Sequence, residues 1–150
     1  DNSVCVIIEL PELCLLSAYF LKKNFPEKKI GTFSDFKNKE NIDVKDLSDF
    51  DFVVLPQSFM EKFNEETFDI IINTTSLGEM SDIMQDYYLQ NIERCCKTYF
   101  YSVNRSKKRF EKYNSRGFYD FSFKNRWKVK VYKYTHTYHV EFLGEKTKNN

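Results

Sequence analysis

The stretch Phe68-Asp69-Ile70-Ile71-Ile72-Asn73-Thr74-Thr75-Ser76-Leu77-Gly78-Glu79-Met80 opens on an apolar run and closes on polar residues. A short continuous apolar run predicts a strand buried on both faces, as in a parallel sheet, and the polar close marks the loop at its carboxyl end. Two upstream segments carry the same signature: Val4-Cys5-Val6-Ile7-Ile8, ending at Glu9, and Phe52-Val53-Val54-Leu55, ending at Pro56-Gln57. Downstream, Thr98 to Val103 predicts a fourth strand. Trp127 to Tyr134 alternates Trp127, Val129 and Val131 with Lys128, Lys130 and Tyr132, and Tyr138 to Leu143 follows after a short link. That spacing predicts an antiparallel hairpin at the carboxyl end.

Two helices connect these strands. Pro11 fits the first turn of a helix from about Glu12 to Asn24, with Leu13, Leu16, Phe20 and Leu21 as its apolar face, Lys22 and Lys23 near its end, and Pro26 beyond. Ser81 is the expected N-cap of a second helix, Asp82 to Cys96, on which Ile83, Met84, Tyr87, Tyr88, Ile92 and Cys95 recur every three to four residues. Glu27 to Asp49 is polar and reads as a crossover or surface loop; Lys107 to Asn125 reads as a basic, aromatic-rich connector with a helical middle. The order predicts one α/β domain over residues 1–150, an open, mostly parallel sheet with an antiparallel C-terminal hairpin. Ligands of such sheets bind at the carboxyl ends of the parallel strands, here Glu9, Pro56-Gln57, Asn73 through Glu79, and Asn104.

Composition narrows the ligand. The chain has 150 residues, enough for one core, and only four glycines, Gly31, Gly78, Gly117 and Gly144. Their spacing leaves no room for a G-x-G-x-x-G dinucleotide loop or a G-x-x-x-x-G-K-[ST] phosphate loop. No apolar run reaches the roughly 18 residues of a membrane span, so the expectation is a cytoplasmic protein. Cys5, Cys14, Cys95 and Cys96 form no C-x-x-C pair and lie in apolar stretches, which predicts reduced core thiols. The formal net charge of +1 hides an asymmetry: positions 1–100 carry 10 Lys/Arg against 18 Asp/Glu, and positions 101–150 carry 13 against 4.

Ile8-Glu9-Leu10-Pro11-Glu12, the stretch from Phe68 to Met80, and Tyr99-Phe100-Tyr101-Ser102-Val103-Asn104-Arg105 are similar to a bacterial family of sugar O-methyltransferases. That family belongs to the class I S-adenosylmethionine-dependent methyltransferases, and the resemblance runs from about Val4 to Phe142. It implies a Rossmann-like sheet, S-adenosylmethionine as cofactor, and a sugar or glycoconjugate hydroxyl as acceptor. On this resemblance Glu9 ends the second strand of the family sheet, and the first strand with its glycine-rich loop is not among these residues. The chain then reads as a partial domain, the carboxyl-terminal portion of a longer enzyme, in keeping with a start at Asp1. Weak or absent cofactor binding by these 150 residues alone is expected.

Glu9 offers two carboxylate oxygens to a ribose, and the family usually carries the shorter aspartate there; without the resemblance it is an acid at a helix start. The resemblance sets Gln57 beside the adenine and lines the methyl-donor cleft with Asn73 and Ser76, while Thr74 and Thr75 read as local backbone partners. Glu79 can orient the acceptor sugar, hold a cation, or simply face solvent. His136, in the link between the last two strands, is the candidate base for the acceptor hydroxyl against a surface histidine; His139 lies inside a strand. The spacing His136-x-x-His139 points two strand side chains to opposite faces, so no metal site is expected.

Two other classes compete. A non-enzymatic nucleic-acid or polyanion-binding module would use Lys107, Lys108, Arg109, Arg116, Lys124, Arg126, Lys128 and Lys130 with the neighbouring aromatics. The apolar strands with polar ends favour a cofactor-binding sheet instead, so nucleic acid is not the expected partner. A glycosyltransferase would need a D-x-D metal motif, and Asp49-Phe50-Asp51 precedes a strand rather than ending one.

Overall fold

A computed structural model describes residues 3–106, 117–121, 126–135 and 138–147. Three strands, β1 (Cys5–Glu9), β2 (Ile30–Gly31) and β3 (Phe52–Pro56), form an all-parallel sheet in the order β1-β3-β2. Four more, β4 (Phe68–Thr74), β5 (Cys96–Arg105), β6 (Trp127–Tyr134) and β7 (His139–Lys146), form a second sheet in the order β4-β5-β7-β6. There β4 and β5 are parallel, and β7 runs antiparallel to both β5 and β6. The expected α/β class with parallel strands and a C-terminal hairpin is what the chain adopts. Among the described residues the strands pair in these two groups, and the chain divides into two compact units, Asp1–Asn64 and Glu65–Asn150.

In the first unit β3 is paired on both sides, and Val53, Val54 and Leu55 are buried as an apolar central strand requires. The polar segment after Asn24 holds more structure than its composition suggests. Two one-turn helices, α2 (Phe33–Phe36) and α3 (Val44–Leu47), start in capping boxes, Thr32 with Asp35 and Asp43 with Asp46. They bury Phe36 and Leu47 beside β3, along with Ile42, Phe59, Met60 and Phe63. Gly31 is required by close packing: a Cβ there would stand 3.0 Å from the rings of Phe36 and Phe50.

Helix α1 (Pro11–Asn24) begins at Pro11 as expected, but its buried side differs from the expected face. Leu21 alone is fully buried, while Cys14, Ser17 and Ala18 beside it are half-buried. These small side chains line the inner side and permit close approach to the sheet. Leu13, Leu16 and Phe20 point away. Cys5 is exposed at the start of an edge strand, a second departure from the expected core role.

The second unit is built on a cluster of Leu77, Leu89, Ile92, Cys96, Phe100, Phe118, Phe121, Trp127, Val140 and Phe142. Helix α4 (Asp82–Cys95) is capped by the Ser81 hydroxyl and covers one sheet face through Leu89 and Ile92 with buried Gln85; Ile83 is exposed. Strand β4 is not buried on both faces. It pairs only with β5, and Ile70 and Ile72 project from the face opposite the core while Ile71 packs against it. Gly144 admits no side chain, because a Cβ would lie 2.8 Å from Phe142 Cζ and 3.0 Å from Trp127 Cβ.

Candidate functional site

Alternation along β5 turns Phe100, Ser102 and Asn104 to one side, and all three are buried. Asn104 therefore carries an amide into the core at the carboxyl end of a parallel pair, where it must find partners. Its Nδ2 donates to Ser102 Oγ (2.7 Å) and to Asn73 Oδ1 (2.9 Å), with the Asn73 carbonyl at 3.3 Å. Its Oδ1 accepts from the Gly78 N–H at 3.4 Å. Asn73 in turn donates through Nδ2 to Ser76 Oγ (2.6 Å) and accepts from the Leu77 N–H (3.4 Å). The Gln85 amide, buried on α4, donates to the Leu77 carbonyl at 2.8 Å.

The loop 74–79 is thus fastened to strand, neighbouring strand and helix at once. Thr75 stands at its sharpest point with φ 58°, a left-handed conformation unusual for a β-branched residue, and its N–H donates to the Val103 carbonyl at 2.7 Å. The Thr75 hydroxyl donates to the Thr74 carbonyl at 2.8 Å. Glu79 closes the loop in an ion pair, Oε1 to Arg105 Nε at 3.1 Å, at a half-exposed position. A carboxylate already balanced by a guanidinium has less to offer a cation.

Asn73, Ser76 and Glu79 are thereby brought into one loop at the carboxyl ends of β4 and β5. Asn104, one of the strand ends that sequence marked for ligand binding, holds it together with Arg105 and Gln85, which were not assigned roles from sequence. The available signal was a polar residue at an inward position of an otherwise apolar alternation. In the first unit Glu9 pairs in register with Pro56, so Glu9 and Gln57 occupy the same end of the three-stranded sheet. A Glu9 carboxylate oxygen accepts from the Leu10 N–H at 3.3 Å. His136 lies outside the described residues, as do Lys107, Lys108, Arg109, Arg116 and Lys124 of the nucleic-acid alternative. Of the remaining basic residues, Lys130 pairs with Glu145 at 2.7 Å, and nearby Lys133 pairs with Glu141 at 2.9 Å, so strand neighbours neutralise both.

No family model matches the chain, and no curated protein matches it. Two solved structures do. One is the PH0226 protein from Pyrococcus horikoshii, with a TM-score of 0.54 at 12% identity, covering 97% of this chain and 83% of that one. The other is PigF with SAH, with a TM-score of 0.53 at 14% identity, covering 96% of this chain and 43% of that one. At this identity the likeness establishes the fold alone, an α/β fold. No described helix is long and apolar enough to cross a membrane.

Proposed function

We propose that this chain is a partial S-adenosylmethionine-dependent O-methyltransferase domain acting on a sugar hydroxyl. The likeness to the SAH-bearing PigF structure carries the cofactor reading, since SAH, S-adenosylhomocysteine, is what S-adenosylmethionine becomes on losing its methyl group. The cofactor supplies a methyl group on a sulfonium centre. Transfer to a hydroxyl forms the O–CH3 bond as the C–S bond breaks in line, and the hydroxyl proton passes to a base. Glu9 suits the ribose hydroxyls because its carboxylate makes only one long bond, to its own neighbour. Gln57 takes the adenine side. Asn73 and Ser76 present neutral polar groups at the donor cleft, Glu79 with Arg105 orients the acceptor, and His136 accepts the proton.

Fit to the cofactor is partial within these residues, since no two glycines are close enough to build a phosphate-type or dinucleotide-type loop. Strand β1 pairs only with β3, and β4 only with β5, so each described sheet ends in a parallel strand with one side unpaired. Parallel strands normally lie inside a sheet. The free edge of β1 supports a first-unit site, with Glu9 and Gln57 at its carboxyl end, that a further strand can complete. Calorimetry with S-adenosylhomocysteine tests the reading. The 150-residue chain is expected to bind weakly or not at all, and the protein translated from the complete coding sequence to bind tightly, with Glu9→Ala lowering that affinity at least tenfold. Tight binding by the isolated chain overturns the partial-site reading, and no binding by the complete protein overturns the methyltransferase reading.

A further inference from the structure

Two backbone N–H groups fix the direction of the side-chain hydrogen bonds that lead to Ser76. A backbone N–H can only donate. The Gly78 N–H therefore requires Asn104 Oδ1 on its side, at 3.4 Å, which turns the two hydrogens of Asn104 Nδ2 toward Ser102 Oγ and Asn73 Oδ1. The Leu77 N–H, also at 3.4 Å, requires Asn73 Oδ1 in the same way. The Asn73 carbonyl, 3.3 Å from Asn104 Nδ2, adds a third constraint, since only a donor can face it. Turning either amide over would set donor against donor at one of these N–H groups. Asn73 Nδ2 is thus left facing Ser76 Oγ, to which it donates at 2.6 Å.

Ser76 accepts on its Asn73 side, so its one hydroxyl proton points elsewhere. Among the described residues that proton meets no acceptor, and the side chain is half-buried rather than closed off. Resting on the S-adenosylmethionine reading, we propose that Ser76 donates this proton to the α-carboxylate of the cofactor's amino-acid part. Asn104 and Asn73 are then positioning residues that hold the hydroxyl in that direction. The amino-acid part carries two charged groups, an α-ammonium that only donates and an α-carboxylate that only accepts. An ammonium at Ser76 would leave the proton without an acceptor, whereas a carboxylate takes it in a charge-assisted bond. Glu79, the acid of the same loop, is paired with Arg105 at 3.1 Å, which limits its repulsion of an anion.

Calorimetry on the complete protein tests this with two ligands, S-adenosylhomocysteine and 5′-methylthioadenosine, which keeps the nucleoside and thioether but has no amino-acid part. Ser76→Ala is expected to weaken S-adenosylhomocysteine about tenfold, the scale of one hydrogen bond to a charged group, and to leave methylthioadenosine unchanged. Asn104→Asp is expected to do the same from a distance. A carboxylate at 104 still accepts from the Gly78 N–H but cannot donate, so Asn73 turns its Nδ2 toward it and Ser76 must give its proton to Asn73 Oδ1. A merely structural effect would weaken both ligands together, and that outcome with Ser76→Ala overturns the proposal. Unchanged S-adenosylhomocysteine affinity in Ser76→Ala also overturns it and sets the hydroxyl against the acceptor molecule instead. Wild-type affinity in a folded Asn104→Asp overturns the positioning chain; if that variant fails to fold by circular dichroism, Ser76→Ala decides alone. Absence of S-adenosylhomocysteine binding by the complete wild-type protein overturns the methyltransferase reading and this proposal with it, whereas tight wild-type binding that Ser76→Ala leaves intact overturns this proposal only.

Discussion

Asn104 ties the loop 74–79 to the body of the second unit, and its substitution separates a bonded amide from a merely buried one. Asn104→Ala removes the acceptor for the Gly78 N–H, takes its donor from buried Ser102 Oγ and leaves half-buried Asn73 Oδ1 with the Leu77 N–H alone. Leaving such groups unsatisfied costs about 1–3 kcal/mol each at full burial. The expected loss is about 2–3 kcal/mol in urea unfolding, discounted because Asn73 is only half-buried and relaxes. Thr74→Ala, at an exposed neighbouring position, should change stability by less than about 0.5 kcal/mol. Equal effects from the two substitutions would contradict the network. Sequence alone marked Asn73 and Ser76 as candidates through their place at the polar close of a strand. It could not identify Asn104 or Arg105 as their partners, because a hydrogen bond between β4 and β5 depends on the register of strands some thirty residues apart.

Secondary-structure periodicity was legible at the scale of the element, whereas the covered face was not. For α1 the apolar residues form a broad arc, and the reading assigned that arc to the sheet. The structure assigns the sheet to a narrow side of small residues and Leu21. Substitution distinguishes the two arrangements. Leu21→Ala creates a cavity in the packed side and is expected to cost about 2–4 kcal/mol. Leu15→Ala, at 80% exposure, is expected to stay within about 0.5 kcal/mol in dilute solution. Reversal of that order in thermal or urea unfolding would restore the amphipathic reading. Strand β4 repeats the lesson: three consecutive isoleucines look buried on both faces, but with one neighbouring strand and one covering helix only Ile71 packs into the core.

Two compact units give the whole molecule a distribution of thiols that chemistry can read. Cys5 is exposed in the first unit, while Cys95 and Cys96 are buried in the second. Burial pushes the Cys96 thiol up to about 11 and raises Cys95 as well, so at pH 8 neither presents appreciable thiolate. Burial raises the Cys5 thiol too, but its exposure admits a reagent, so a thiol reagent at pH 8 is expected to modify Cys5 in the native chain, and Cys95 and Cys96 only in denaturant concentrations that unfold the second unit. Native modification of Cys96 at the Cys5 rate would show that this core is open. Sequence by itself determined every strand but the short β2, the two long helices, the parallel-then-hairpin order and the polar strand ends, because each follows from the local spacing of apolar residues, caps and prolines. Tertiary structure alone decided which strands lie at sheet edges, which side of α1 is covered, and how Asn104 and Arg105 hold the loop after β4. Pairing and burial are set by contacts between residues distant along the chain, and no local pattern encodes them.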